Sequence, residues 1–105
     1  MAFNEVIELI SITSSENELG DPIEISVPRD VFANKKSISQ TEFYQAQTTG
    51  LRPEIKFEIW SMDYQDEPKF SFNNKTYTII RTFEKDNELI ELVGSGTVNK
   101  GDSNG

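Results

Sequence analysis

The sequence predicts a mainly β domain: a small antiparallel β-barrel or sandwich of about seven strands, with one short α-helix in an insertion. Three observations carry that expectation. Short runs rich in Val, Ile, Phe and Tyr alternate with polar residues at period two, the spacing of half-buried strands. Turn-forming residues separate the runs at close intervals, which suits antiparallel neighbours in a barrel or sandwich. A single helix-capping signature, Ser39-Gln40-Thr41-Glu42, interrupts the β pattern.

Taken in order, Val6 to Thr13 is dense in Val, Ile and Leu and reads as the first strand. Ser14 to Asp21 is a polar loop, and Pro22 stops any helix there. Ile23, Ile25 and Val27 alternate with Glu24 and Ser26 as a second strand, and Pro28 suits an edge or bulge. Val31 to Ile38 reads as a third strand, partly exposed around Asn34-Lys35-Lys36. In the capping box, Ser39 accepts from the Glu42 amide while Glu42 reaches back to the Ser39 amide. A helix from about Gln40 to Thr48 follows, with Phe43 and Ala46 on one face. Gly50 can end that segment in a left-handed conformation. So short a helix is marginal alone and needs a docking surface.

Leu51-Arg52-Pro53 leads, extended, into the clearest strand. There Ile55, Phe57 and Ile59 face one way, and Lys56, Glu58 and Trp60 the other. Asp63 to Pro68 is rich in turn formers, and Phe70 and Phe72 start a short strand. Asn73-Asn74 suits a tight hairpin because Asn tolerates positive φ. On the return strand Tyr77, Ile79, Arg81 and Phe83 alternate with Thr76, Thr78, Ile80 and Thr82. Lys85-Asp86-Asn87 is a turn, and Leu89 to Val93 is the last strand. Residues 1–94 form one domain, the insertion covers about 37–53, and residues 95–105 read as a flexible, polar tail.

At 105 residues, only 35% of them hydrophobic, the chain supports one thin core, so assembly into a ring would add stability. The net charge of −8 argues against a dedicated duplex binder, because such affinity comes from Lys and Arg neutralising phosphates. An acidic lumen can nevertheless surround DNA and let it slide. Cysteine and histidine are both absent, which removes disulfides, thiolate sites, the usual general base and the commonest transition-metal ligand. No cofactor is expected. No run approaches the ~18 apolar residues of a membrane helix. Met1 to Glu5 lacks the basic and apolar stretches of a signal peptide, so synthesis is expected in the cytoplasm.

Several clusters invite a functional reading. Asp63, Asp66 and Glu67 lack the ligand steps and glycine of a calcium loop, and a solvated acidic turn fits them better. With 18 acidic residues, some carboxylate pair at a glycosidase spacing is expected by chance, and nothing singles one out. Phe57, Trp60, Tyr64, Phe70, Phe72, Tyr77 and Phe83 could stack bases, but their neighbours are acidic rather than basic, so core or subunit interface suits most of them. Trp60, opposite the Ile55–Phe57–Ile59 face, is an interface candidate or part of a second packed face. Arg81 is either an intersubunit ion-pair partner or half of a cross-strand pair. Lys35, Lys36 and Arg52 flank the helix and are the best candidates for phosphate contact.

Several short blocks recur in a set order: Val31-Phe32-Ala33, Lys36 to Ser39, Glu42 to Ala46, Gly50 to Glu54, Asp63-Tyr64, Phe72 to Tyr77, Arg81-Thr82-Phe83 and Glu91-Leu92. That order resembles the head-closure, or head–tail joining (connector stopper), proteins of long-tailed bacteriophages. The resemblance implies a small β-barrel that forms a ring in the virion at the head–tail connector. It also implies partners: a portal-associated adaptor ring, a tail-terminator ring, and packaged double-stranded DNA held without sequence recognition. Carried over by position, Phe43, Tyr44, Gln45 and Ala46 would lie in the element that projects toward the channel, with Gly50, Arg52 and Pro53 on its return and Gly50 and Pro53 as hinges. The alternative is a helix that caps the barrel end through Phe43 and Ala46. Other readings are a different neck or tail ring protein such as a tail terminator, a small nucleic-acid-binding β-barrel, or a small hydrolase.

Overall fold

The computed structural model describes residues 3–47, 50 and 52–96. Six strands close into an antiparallel barrel: β1 (Glu5–Glu16), β2 (Pro22–Lys36), β3 (Ile55–Trp60), β4 (Lys69–Phe72), β5 (Lys75–Glu84) and β6 (Leu89–Gly96). Around the wall they run β1-β2-β3-β6-β5-β4. Among the described residues one helix, α1 (Gln40–Gln47), lies between β2 and β3, and a single 3-10 turn spans Ser61–Asp63. No helix among the described residues is long and apolar enough to cross a membrane.

Period-two alternation sends Ile7, Leu9, Val31, Ala33, Ile55, Phe57, Ile59, Ile90 and Leu92 into the barrel, where they form the core. Phe57 meets Phe70 edge-on at 5.5 Å between ring centroids, and Phe70 stacks on Tyr77 at 5.4 Å. Phe57, Phe70 and Tyr77 are therefore core rings rather than an exposed stacking platform.

The strands expected on either side of Pro28 are one continuous strand of 15 residues, which accounts for six strands rather than seven. Before Asn34, β2 has no partner on its β3 side, so the missing proline amide breaks no ladder bond there. The last strand runs past Val93 to Gly96. Gly94 is needed inside the wall: a Cβ there would lie 2.6 Å from Cζ of Phe70. Gly96 is held by its amide, which donates to Oε2 of Glu54 at 2.9 Å.

A register shift between Ile79 and Arg81 breaks the alternation expected along β5. Tyr77 and Ile79 face the core, but beyond the bulge Arg81 pairs with Val93 and Phe83 with Glu91, both on the outer face. One inserted residue exchanges the faces of everything after it. The β4–β5 hairpin turns on Asn73 and Asn74, both at positive φ, as their identity predicts.

Candidate functional site

Two elements leave the barrel. The first is the insertion. In its capping box the Glu42 amide donates to Oγ of Ser39 at 3.1 Å, and the Ser39 amide donates to Oε1 of Glu42 at 2.9 Å. The same carboxylate takes Nζ of Lys56, at 2.9 and 3.2 Å to its two oxygens. Lys56 points outward from β3, so this contact fastens the start of α1 to the outer wall. Burial pushes the Glu42 carboxyl up, but the Ser39 and Lys56 donors outweigh it and hold the group below its usual value.

The Lys56–Glu42 pair continues into a run of charges along the wall. Lys56 also reaches Glu91 at 3.5 Å, Lys85 reaches Glu91 at 3.9 Å, and Lys85 donates to Oε2 of Glu58 at 2.8 Å. Hydrogen bonding to Glu58 holds the Lys85 ammonium above its usual value. Glu58 is fully buried, and its other oxygen has no hydrogen-bond partner. Such a group depends strongly on its one cation, because an uncompensated buried charge is costly.

The return of the insertion is also fixed. The Glu54 amide donates to the Gly94 carbonyl at 2.8 Å, and the Glu54 carboxylate reaches Lys75 at 3.2 Å. Pro53 is buried, Arg52 is exposed, and Gly50 has φ 80°, the left-handed conformation expected of it. Phe43 is half-buried and Tyr44 is exposed. Gln45 and Ala46 are helical, but their side chains lie outside the described residues, as do Thr48, Thr49 and Leu51.

The second element is an arm. β1 and β2 stay paired all the way to Glu16↔Pro22, whereas β4 joins β1 only from Glu8 to Ile10, and β3 joins β2 only from Asn34 to Lys36. Beyond Ile10 the hairpin therefore projects as a two-stranded ribbon. Its loop is held by Oδ1 of Asn17, which accepts from the amides of Leu19 and Asp21 at 2.9 Å each. Register places Val27, Ile25 and Ile23 on the face that carries Leu9, Ile7 and Val31 inside the barrel. Inside, those side chains are 0–6% exposed; on the arm Ile23, Ile25 and Val27 are 39%, 43% and 46% exposed.

At the base of the arm Arg29 donates to the Asp63 carbonyl and, at 2.7 Å, to Oε2 of Glu67. Glu67 is buried, so the acidic turn expected to be solvated contributes one internal, paired carboxylate. Burial raises that carboxyl, but Arg29 and the Gln65 amide hold it below its usual value. The Tyr64 hydroxyl donates to the Glu67 carbonyl at 2.9 Å. Nothing in the spacing of Arg29 and Glu67 announced this pair, which is 38 residues apart in sequence.

The other expected positions are spread over the surface. Trp60 faces outward, 38% exposed, with its ring 5.0 Å from that of Phe3. Arg81 and Phe83 are exposed on the outer wall of β5. Lys35 and Lys36 are exposed at the last two positions of β2, beside the start of β3. No group of three or more His, Cys, Asp or Glu that could hold a metal occurs among the described residues. The geometry offers two projecting elements and a charged outer wall.

No protein-family model matches the chain, and no curated protein matches it.

Proposed function

We propose that this chain is a structural protein of a tailed-bacteriophage virion, not an enzyme. In this reading many copies form a ring at the head–tail connector, close the portal channel, retain packaged DNA and dock the tail. The ring sits between a portal-associated adaptor ring and a tail-terminator ring, and the protein is made in the host cytoplasm. Its action is mechanical. Barrels set the ring, and one insertion per subunit, residues 37–53, gathers at the axis and moves aside when the channel opens.

The observation that carries the reading is how the ordered family-like blocks lie on one closed barrel. The blocks from Lys36 to Glu54 make up an insertion that leaves the wall and returns to it at two fixed points, Lys56–Glu42 and Glu54–Gly94. An element fastened at both ends to a rigid wall can be displaced without unfolding the barrel.

The test is electron microscopy of particles from a phage with a stop codon in this gene. DNA-filled or leaking heads lying apart from complete free tails are expected. Normal virions, or intact heads with misshapen tails, would remove head closure.

A further inference from the structure

We infer that the arm docks on a second copy of this chain, head to tail, against the end of the barrel that carries Lys35, Lys36 and Arg52. The first argument is burial. An isolated two-stranded hairpin is marginal in water, and this one carries an apolar row that the barrel leaves uncovered. Ile23, Ile25 and Val27 continue the core-facing row past the point where β3 and β4 stop.

The second argument is charge. The chain has no Lys or Arg before Arg29, while Glu16, Glu18, Asp21 and Glu24 all lie on the arm. Two arms side by side would set their acidic loops, with Glu18 and Asp21, close together, which weighs against a symmetric arm-to-arm contact. The complementary surface is at the other end of the same strand. β2 starts at the acidic tip with Pro22 and ends at Lys36, which pairs with Lys56 beside the start of β3. Arg52 enters β3 from that side, and the exposed Tyr44 sits on the helix between them. Register sets Glu16 and Glu24 on the face opposite Ile23, Ile25 and Val27. The arm thus carries carboxylates on one face and at its loop for the cations, and an aliphatic row on the other for the Tyr44 ring.

Tip and socket lie apart by the length of a 15-residue strand, roughly 46 Å, close to the longest dimension of the molecule, 48 Å. A contact between two different surfaces of identical chains is heterologous, so it propagates into a ring or an open filament rather than stopping at a dimer. The inference rests on the connector reading only for its biological setting. The contact itself concerns the purified chain.

The experiment is a charge swap followed by sedimentation at about 1 mM protein and low salt, where surface electrostatics are least screened. The wild-type chain is expected to associate, and to dissociate as salt rises. Reversing the arm (E16K, E18K, E24K) or the socket (K35E, K36E, R52E) should each weaken association at least about tenfold. An equimolar mixture of the two variants should restore it, because every arm then meets a socket of opposite charge. That rescue also shows that both variants are folded.

A wild-type chain monomeric under these conditions would overturn the proposal. So would association that survives socket reversal, since the arm would then have another occupant, or two impaired variants that the mixture does not rescue. The two readings fail separately. Rescue by charge swap with normal virions from the stop-codon phage would sink the connector and keep the contact; the reverse pair of results would do the opposite.

Discussion

In the barrel half of the β1–β2 hairpin, Ile7, Leu9 and Val31 are buried, whereas in the arm half Ile23, Ile25 and Val27 stand partly in solvent on the same face of the same ribbon. Alternation and strand pairing run through both halves, but beside Val27, Ile25 and Ile23 the arm half of β1 carries Ser11, Thr13 and Ser15, where the barrel half carries Ile7 and Leu9. The halves differ also in what lies across from them. The barrel half faces the core side chains of β3, β4 and β6, Phe57, Phe70 and Leu92 among them; the arm half lies beyond the last pairs that β3 and β4 make. A period-two pattern states which face is apolar, and the neighbouring strands decide whether that face is covered.

The largest expected effect tests that difference directly. Phe57→Ala should cost about 3–5 kcal/mol in urea unfolding of the free chain, because Phe57 is fully buried between Phe70 and Phe72. Ile25→Ala on the arm should cost less than about 1 kcal/mol in the same measurement. Comparable losses at both sites would mean that the free chain covers its arm, and the contrast between the halves would fail.

Gly94→Ala comes next. The added Cβ would meet both Phe70 and Tyr77 under 3.0 Å, so overpacking of about 1–3 kcal/mol should appear as a lower Tm. At the junction between the halves, Arg29→Ala removes the ion-pair partner of buried Glu67. Arg29 is itself partly exposed, so the expected loss is only about 1–2 kcal/mol. That loss should shrink as pH falls. The folded-state value of Glu67 is depressed, so its contribution is present at neutral pH and disappears as pH drops through that depressed value. A wild-type-to-mutant difference that stays constant down to pH 2 would contradict the assignment.

A smaller effect is expected at the insertion. Ser39→Ala removes a side-chain acceptor of the helix start and should cost about 1 kcal/mol. Hydrogen exchange would show faster exchange confined to α1, with β3 and β6 amides unchanged. Glu42 is depressed in the same sense as Glu67, so acidification through its folded value should loosen the same helix in the wild-type chain. If exchange in β3 rose in parallel, the helix and the wall would be one cooperative unit.

Much of this fold was legible in the residues. The β class, the outward Lys56, Glu58 and Trp60, the Asn73-Asn74 hairpin and the Ser39–Glu42 capping box all follow from local rules acting over a few positions. Period two puts Arg81 and Phe83 in one row with Tyr77 and Ile79 because it has no memory of a bulge; the shift after Ile79 is set by how β5 meets β6. The strand break placed at Pro28 was a local inference that the absence of a β3 partner made unnecessary. Gly94 was read as the end of order because the sequence does not show the Phe70 ring that requires a glycine there.

By itself the sequence determined which side chains seek cover, where the chain turns, and that the first 28 residues carry acid without base. Those are properties of near neighbours and of composition. Only the tertiary structure decided where the cover ends, that Arg29 meets Glu67, and that Lys56 holds Glu42 against the wall. Each of these depends on strand register between distant segments, and register is settled by the barrel closing as a whole.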